Sequence, residues 1–74
     1  MRTLATVKLS ACRKRRFLSQ HKLAAKAGVA VATVFNIEKG IVKTPRLDVI
    51  RRISEALEMD ATEIDEFKAA LDAE

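Results

Sequence analysis

The side chains able to do chemistry in this sequence are mostly cations, and they are unevenly placed. Residues 1–46 hold eleven Lys or Arg and a single acid, Glu38, whereas residues 47–74 hold three basic and nine acidic residues, for a net charge of +4. That polarity suits a chain with one end that meets a polyanion and another that stays away from it. The densest cluster is Arg13-Lys14-Arg15-Arg16; some of its members are expected to face that polyanion, and at least one only solvates the surface. His21, the single histidine, has no Cys or His neighbours in sequence, so a solvated or phosphate-adjacent place is expected. Cys12 is the single cysteine, which excludes an intrachain disulfide and a cysteine-based zinc site. It falls at an apolar helix position and reads as a small buried hydrophobe. No nucleophile–base pair, phosphate-cradling glycine loop or metal cluster can be assembled from the spacing, so no catalysis, cofactor or metal is expected.

The elements that must position these groups are helical. A chain of 74 residues, 49% of them hydrophobic, supports one domain with one modest core, expected over residues 1–74. Gly and Pro are few and fall between periodic stretches. A first helix is expected from near Thr3 or Thr6 to about Arg16, although the alternation Ala5, Val7, Leu9, Ala11 also suits a short strand. Ser19 is a good N-cap for a second helix with Leu23, Ala24 and Ala27 on its apolar side, ended by Gly28. A third covers about Val31 to Lys39 with Val34 and Ile37 inward, and Gly40 ends it. Thr44-Pro45 has the N-cap and first-turn pattern for a fourth helix, whose Leu47, Ile50, Ile53, Ala56 and Leu57 form a core stripe. Asp60 and Glu63 have capping-box spacing for a fifth, carrying Ile64, Phe67 and Leu71. The expected fold is all-α, a compact orthogonal bundle of five short helices. No apolar run approaches the roughly 20 residues that cross a bilayer, and no signal-peptide pattern opens the chain. A soluble, cytoplasmic protein is the expectation.

The decisive stretch runs from Leu18-Ser19-Gln20 through Leu23-Ala24 and Ala27-Gly28-Val29 to Ile37-Glu38-Lys39-Gly40. Two short helices are separated by a glycine turn, and the small Ala24 sits where the second must pass close to the first. With Val34 and Ile37 inward, Ala32, Phe35, Asn36 and Lys39 share the opposite face at i, i+3, i+4, i+7 spacing, which leaves that face open to a groove. Together with Pro45 and the Ile50…Ile53…Ala56-Leu57 run, these residues resemble the lambda-repressor-like, XRE-type helix-turn-helix family over roughly residues 9 to 64.

The resemblance implies a DNA-binding regulator in which the helix from Val31 enters the major groove and the preceding helix crosses the phosphate backbone. Gln20 then matches the phosphate-facing position at a helix N-terminus, a place that favours anions on its own account. Val31, Ala32, Thr33, Asn36 and Lys39 match base- or backbone-contacting positions, and Lys43 and Arg46 fall where further phosphate contacts are made. Arg13 and Arg16 are candidate backbone contacts, and Glu38 matches an acid that braces the fold. The chain departs from the pattern in four places. Ala30 stands where Ser or Thr commonly caps the recognition helix, a loss of typically around 1 kcal/mol. Val31 and Ala32 cannot donate to base edges but can touch thymine methyl groups, which leaves Asn36 as the hydrogen-bonding reader and points to an A·T-rich half-site. Phe35 borders this face, where it either packs on thymine methyls or folds back on a neighbouring loop, and Phe17 replaces the glycine usual before Leu18. The expected partners are double-stranded DNA and a second copy of the chain, the latter through the C-terminal helix with Ile64, Phe67 and Leu71. Those three side chains could equally be the last layer of the core. An antitoxin with a toxin partner and autoregulatory DNA binding is the alternative, and a scaffold module for protein contacts is a third reading.

Overall fold

Four left-handed residues punctuate the chain. In a computed structural model describing residues 6–73, Phe17, Gly28, Gly40 and Glu58 adopt φ of 58, 73, 77 and 57°, each directly after a helix or one or two residues beyond it. The helices they close are α1 (Leu9–Arg15), α2 (Gln20–Ala27), α3 (Val31–Glu38) and α4 (Leu47–Leu57). All four ends use one device, in which the amide following the left-handed residue reaches back to a carbonyl five residues earlier. The bonds run from Leu18 to Arg13 (3.1 Å), Val29 to Ala24 (3.0 Å), Ile41 to Asn36 (2.9 Å) and Met59 to Ser54 (3.0 Å). Two of the four positions carry glycine, which takes positive φ without cost; Phe17 and Glu58 do not.

The second and third helices form as their sequence dictates. Ser19 accepts from the Lys22 amide and starts α2, while Leu23, Ala24 and Ala27 are buried against α3 and α4. Ala30 precedes α3 without a side-chain cap bond, and Val34 and Ile37 are the buried residues of that helix. The core closes around Leu9, Leu23, Val34, Ile53, Leu57, Ile64 and Phe67, each with no solvent exposure. Removing one such side chain from water contributes about 1.5–3 kcal/mol.

Three expectations are corrected. Helix α1 begins at Leu9, because Val7 forms an isolated parallel bridge with Ile64 and is therefore extended; of the alternation that suggested a strand, Val7 is the part realised. The starts considered at Thr3 and the side chains of Leu4 and Ala5 lie outside the described residues. Helix α4 begins at Leu47 rather than after Thr44, with Arg46 still extended. This start sets Asp48 in the first turn, where a helix N-terminus favours negative charge. It also leaves Leu47 on an outer turn, so the core stripe begins at Ile50. Asp60 caps a 3-10 turn, Ala61–Glu63, by accepting from Thr62, and α5 follows only at Asp65–Asp72. Ile64 between them is held extended by Val7, whose amide donates to the Glu63 carbonyl and whose carbonyl accepts from the Asp65 amide, both at 2.9 Å.

This bridge is the centre of a clamp between the two ends of the described chain. The Leu9 amide, at the start of a helix with no acid in its own first turn, donates to Glu66 Oε1 at 2.8 Å. Thr6 donates to Asp65 Oδ1 at 2.9 Å, and the Lys8 ammonium lies 3.0 Å from Asp65 Oδ2. The hydrogen bond to Lys8, then that to Thr6, holds the Asp65 carboxyl below the usual aspartate value. A depressed carboxylate stabilises the fold above its unfolded pKa, near 4, and loses that contribution as pH falls through the folded value. Asp65→Asn should therefore lower Tm by a few degrees at neutral pH and leave it unchanged in strong acid, as read from melting curves across pH. A constant difference at every pH would assign the effect to shape rather than charge.

Ser54 is buried in α4, and among the described residues its hydroxyl has no hydrogen-bond partner. A buried hydroxyl without a bond is costly, so Ser54→Ala is expected to raise stability by about 1 kcal/mol in denaturant titration.

Candidate nucleic-acid interface

The cations and the open helix face converge around α3. Ala32, Phe35 and Lys39 are exposed on its outer side, while Val31, Thr33 and Asn36 are half-buried along its flanks. The Asn36 carbonyl accepts from both the Ile41 (2.9 Å) and Val42 (3.2 Å) amides, so the end of this face is fixed by the turn that follows. Val31 packs against the core, which ties the start of the helix down despite its missing cap. The Lys39 ammonium sits 5.7 Å from the centre of the Phe35 ring, near enough for a cation–π contact. Phe35 itself stays 42% exposed and remains on the outer face. Lys43 and Arg46 are exposed beyond the helix, Arg46 with a weak 3.9 Å approach to Asp48.

Arg13 is placed differently from the other expected phosphate contacts. Its Nε donates to Glu38 Oε2 at 2.8 Å, its Nη2 to Glu38 Oε1 at 3.2 Å and its Nη1 to the Leu18 carbonyl at 3.0 Å. With side chains 12% and 8% exposed, the pair lies inside the fold. Gln20 joins it, its Nε2 donating to Glu38 Oε1 at 3.0 Å. The carboxylate of Glu38, the last residue of α3, thus fastens α1 through Arg13 and the first residue of α2 through Gln20, while Arg13 itself holds the turn before α2. The Arg13 guanidinium is engaged in this brace, and Gln20 is oriented by it. Arg16, also a candidate, is exposed and reaches Glu58 at 3.8 Å.

The brace also shapes the electrostatics. Glu38 is the only acid before Asp48 in the sequence, and its charge is neutralised internally by Arg13. The exposed surface from α1 to the start of α4 is then left to Lys14, Arg15, Arg16, Lys22, Lys26, Lys39, Lys43 and Arg46, of which Arg16 and Arg46 approach acids of the C-terminal part. The acids lie on α4, the 3-10 turn and α5, and the field is polarised across the molecule.

An exposed, rigidly held helix behind a braced helix pair, ringed by cations, defines a DNA-binding module. The helix-turn-helix family model matches residues 9–64. The chain belongs to the XRE-type, lambda-repressor-like helix-turn-helix family, whose members are DNA-binding regulators. Comparison with curated proteins gives no match. Among the described residues, no helix is long and apolar enough to cross a membrane.

Sequence reasoning missed two residues that matter here. Glu66 caps α1 from 57 positions away, a pairing that no local spacing encodes. Leu18 takes part through its carbonyl, which side-chain patterns do not report.

Proposed function

We propose that this protein is a sequence-specific transcriptional regulator that binds a pseudo-palindromic DNA site as a dimer, with α3 in the major groove. The observation that carries this reading is the outer face of α3, held by the Arg13–Glu38–Gln20 brace and flanked by exposed Lys39, Lys43 and Arg46. In this reading Asn36 pairs with adenine, Val31, Ala32 and Phe35 contact thymine methyl groups, and Thr33 and Lys39 add contacts at the groove edge. Gln20, Arg16, Lys43 and Arg46 meet phosphates and fix the register. A single module buries limited surface, and two copies reading half-sites about 34 Å apart raise affinity and define the symmetry of the operator.

A second copy needs an apolar surface left outside the core. Ile64 and Phe67 are wholly inside the core, and Leu71 packs against it. In this reading the apolar part of a dimer contact draws on side chains left outside, such as Ile41 and Val42 between α3 and α4 and Leu47 at the start of α4.

Selection of random duplex DNA by the purified protein, followed by salt titration on the recovered site, tests the proposal. A two-fold motif and a steep log–log slope, about −0.9 per phosphate contact, are expected. Salt-fragile binding with no enriched motif would overturn it and turn attention to a protein partner, such as the toxin expected of an antitoxin.

A further inference from the structure

Phe17 is the most exposed large apolar side chain among the described residues, at 92%, and it is held at φ 58°. Both features carry a cost that glycine at the same position would not bear, since glycine accepts positive φ freely and exposes no ring. The same helix-ending device is built with glycine after α2 and α3, so the turn itself does not require an aromatic residue.

Position supplies the explanation. Phe17 follows the exposed cations Lys14, Arg15 and Arg16 and stands two residues before Ser19, the cap of α2, with exposed Lys22 in the first turn of that helix. Glu58, the acid that reaches this turn, is engaged by Arg16. The turn does not drift relative to α3, because Arg13 holds the Leu18 carbonyl and Glu38 at once. An aromatic ring displayed among cations, at fixed distance from a groove-reading helix, is complementary to a polyanion that also carries apolar surface. Nucleic acid has both, in its phosphates and in its sugar and base edges.

We propose that Phe17 is a DNA-contact residue that packs on the deoxyribose edge of the backbone crossed by α2, at the lip of the groove. The proposal rests on α3 being the groove-reading helix, and it adds a contact that is apolar and independent of sequence. It therefore affects all duplexes alike without changing the number of phosphates neutralised.

Phe17→Gly separates this contact from folding, because the two readouts move in opposite directions. Melting curves of the free protein should shift upward by a few degrees as the backbone strain is relieved. Affinity for a random-sequence duplex at low salt, measured by fluorescence anisotropy, should fall roughly fivefold, with the slope of log K against log salt unchanged. Phe17→Tyr, which keeps the ring, should retain the parent affinity. Unchanged affinity in a stabilised Phe17→Gly protein would overturn the contact while leaving the functional reading intact. A loss accompanied by a shallower slope would also overturn it, since displaced cations rather than the ring would be responsible. Failure of the parent protein to bind any duplex would overturn the functional reading, and the Phe17 contact with it.

Discussion

Arg13→Ala should destabilise the free protein by about 3 kcal/mol and lower its Tm by roughly 12–24 °C, in the absence of any DNA. The size follows from what the truncation leaves behind. Glu38 is only 8% exposed and would be left with Gln20 as its remaining side-chain donor, while the Leu18 carbonyl would lose the guanidinium. Removing one partner of a buried pair costs far more than the pair itself contributes. For a domain of this length, total stability is on the order of 4–11 kcal/mol, so the variant would approach the limit of folding. Replacing both members by apolar residues, Arg13→Met with Glu38→Leu, should restore much of the loss, because no buried charge is then stranded. Calorimetry or urea titration of the three proteins measures this directly. A single variant that melts within a degree or two of the parent yet binds DNA weakly would instead make Arg13 a phosphate contact.

That brace marks the boundary of what the sequence discloses. Elements governed by neighbours are legible: Ser19 and Gly28 bound α2, the Val34 and Ile37 spacing orients α3, and Ile50, Ile53, Ala56 and Leu57 point α4 inward. Each rests on caps and periodicity within a few residues. One misjudged element is set by a partner far along the chain. Asp60 and Glu63 have the spacing of a helix start, yet Val7 holds Ile64 extended and delays the helix to Asp65. Thr44 and Pro45 carry a start signal that α4 does not use until Leu47. At the interface the open face of α3 could be read directly, as could the separation of charge. Which cations stay available could not, because Arg13 and Arg16 look alike in a run of four and only tertiary contacts distinguish them. Phe17 was visible as a departure from a glycine pattern, but its exposure and left-handed backbone were not.

Asn36→Ala should weaken binding to the selected site by about 1–3 kcal/mol and relax base preference at one position of each half-site, with little change on random duplex DNA. Its position supports the proposed role of reader. The outer residues of α3 are Ala32, Phe35 and Lys39; the first two offer only apolar contact, and the third is drawn toward the Phe35 ring. Asn36 is half-buried beside them, and among the described residues no hydrogen bond engages its side-chain amide. Its backbone is fixed by the bonds from Ile41 and Val42. An amide on a fixed backbone loses little freedom when it pairs with adenine N6 and N7, whereas truncation leaves those groups without their bidentate partner. Lys43→Ala should behave in the opposite way, weakening every duplex alike and reducing the salt slope by about one contact. Comparing the two variants on selected and random DNA therefore separates reading from holding. Unchanged base preference in Asn36→Ala would mean that the apolar residues of α3, through methyl groups and groove shape, carry the specificity alone.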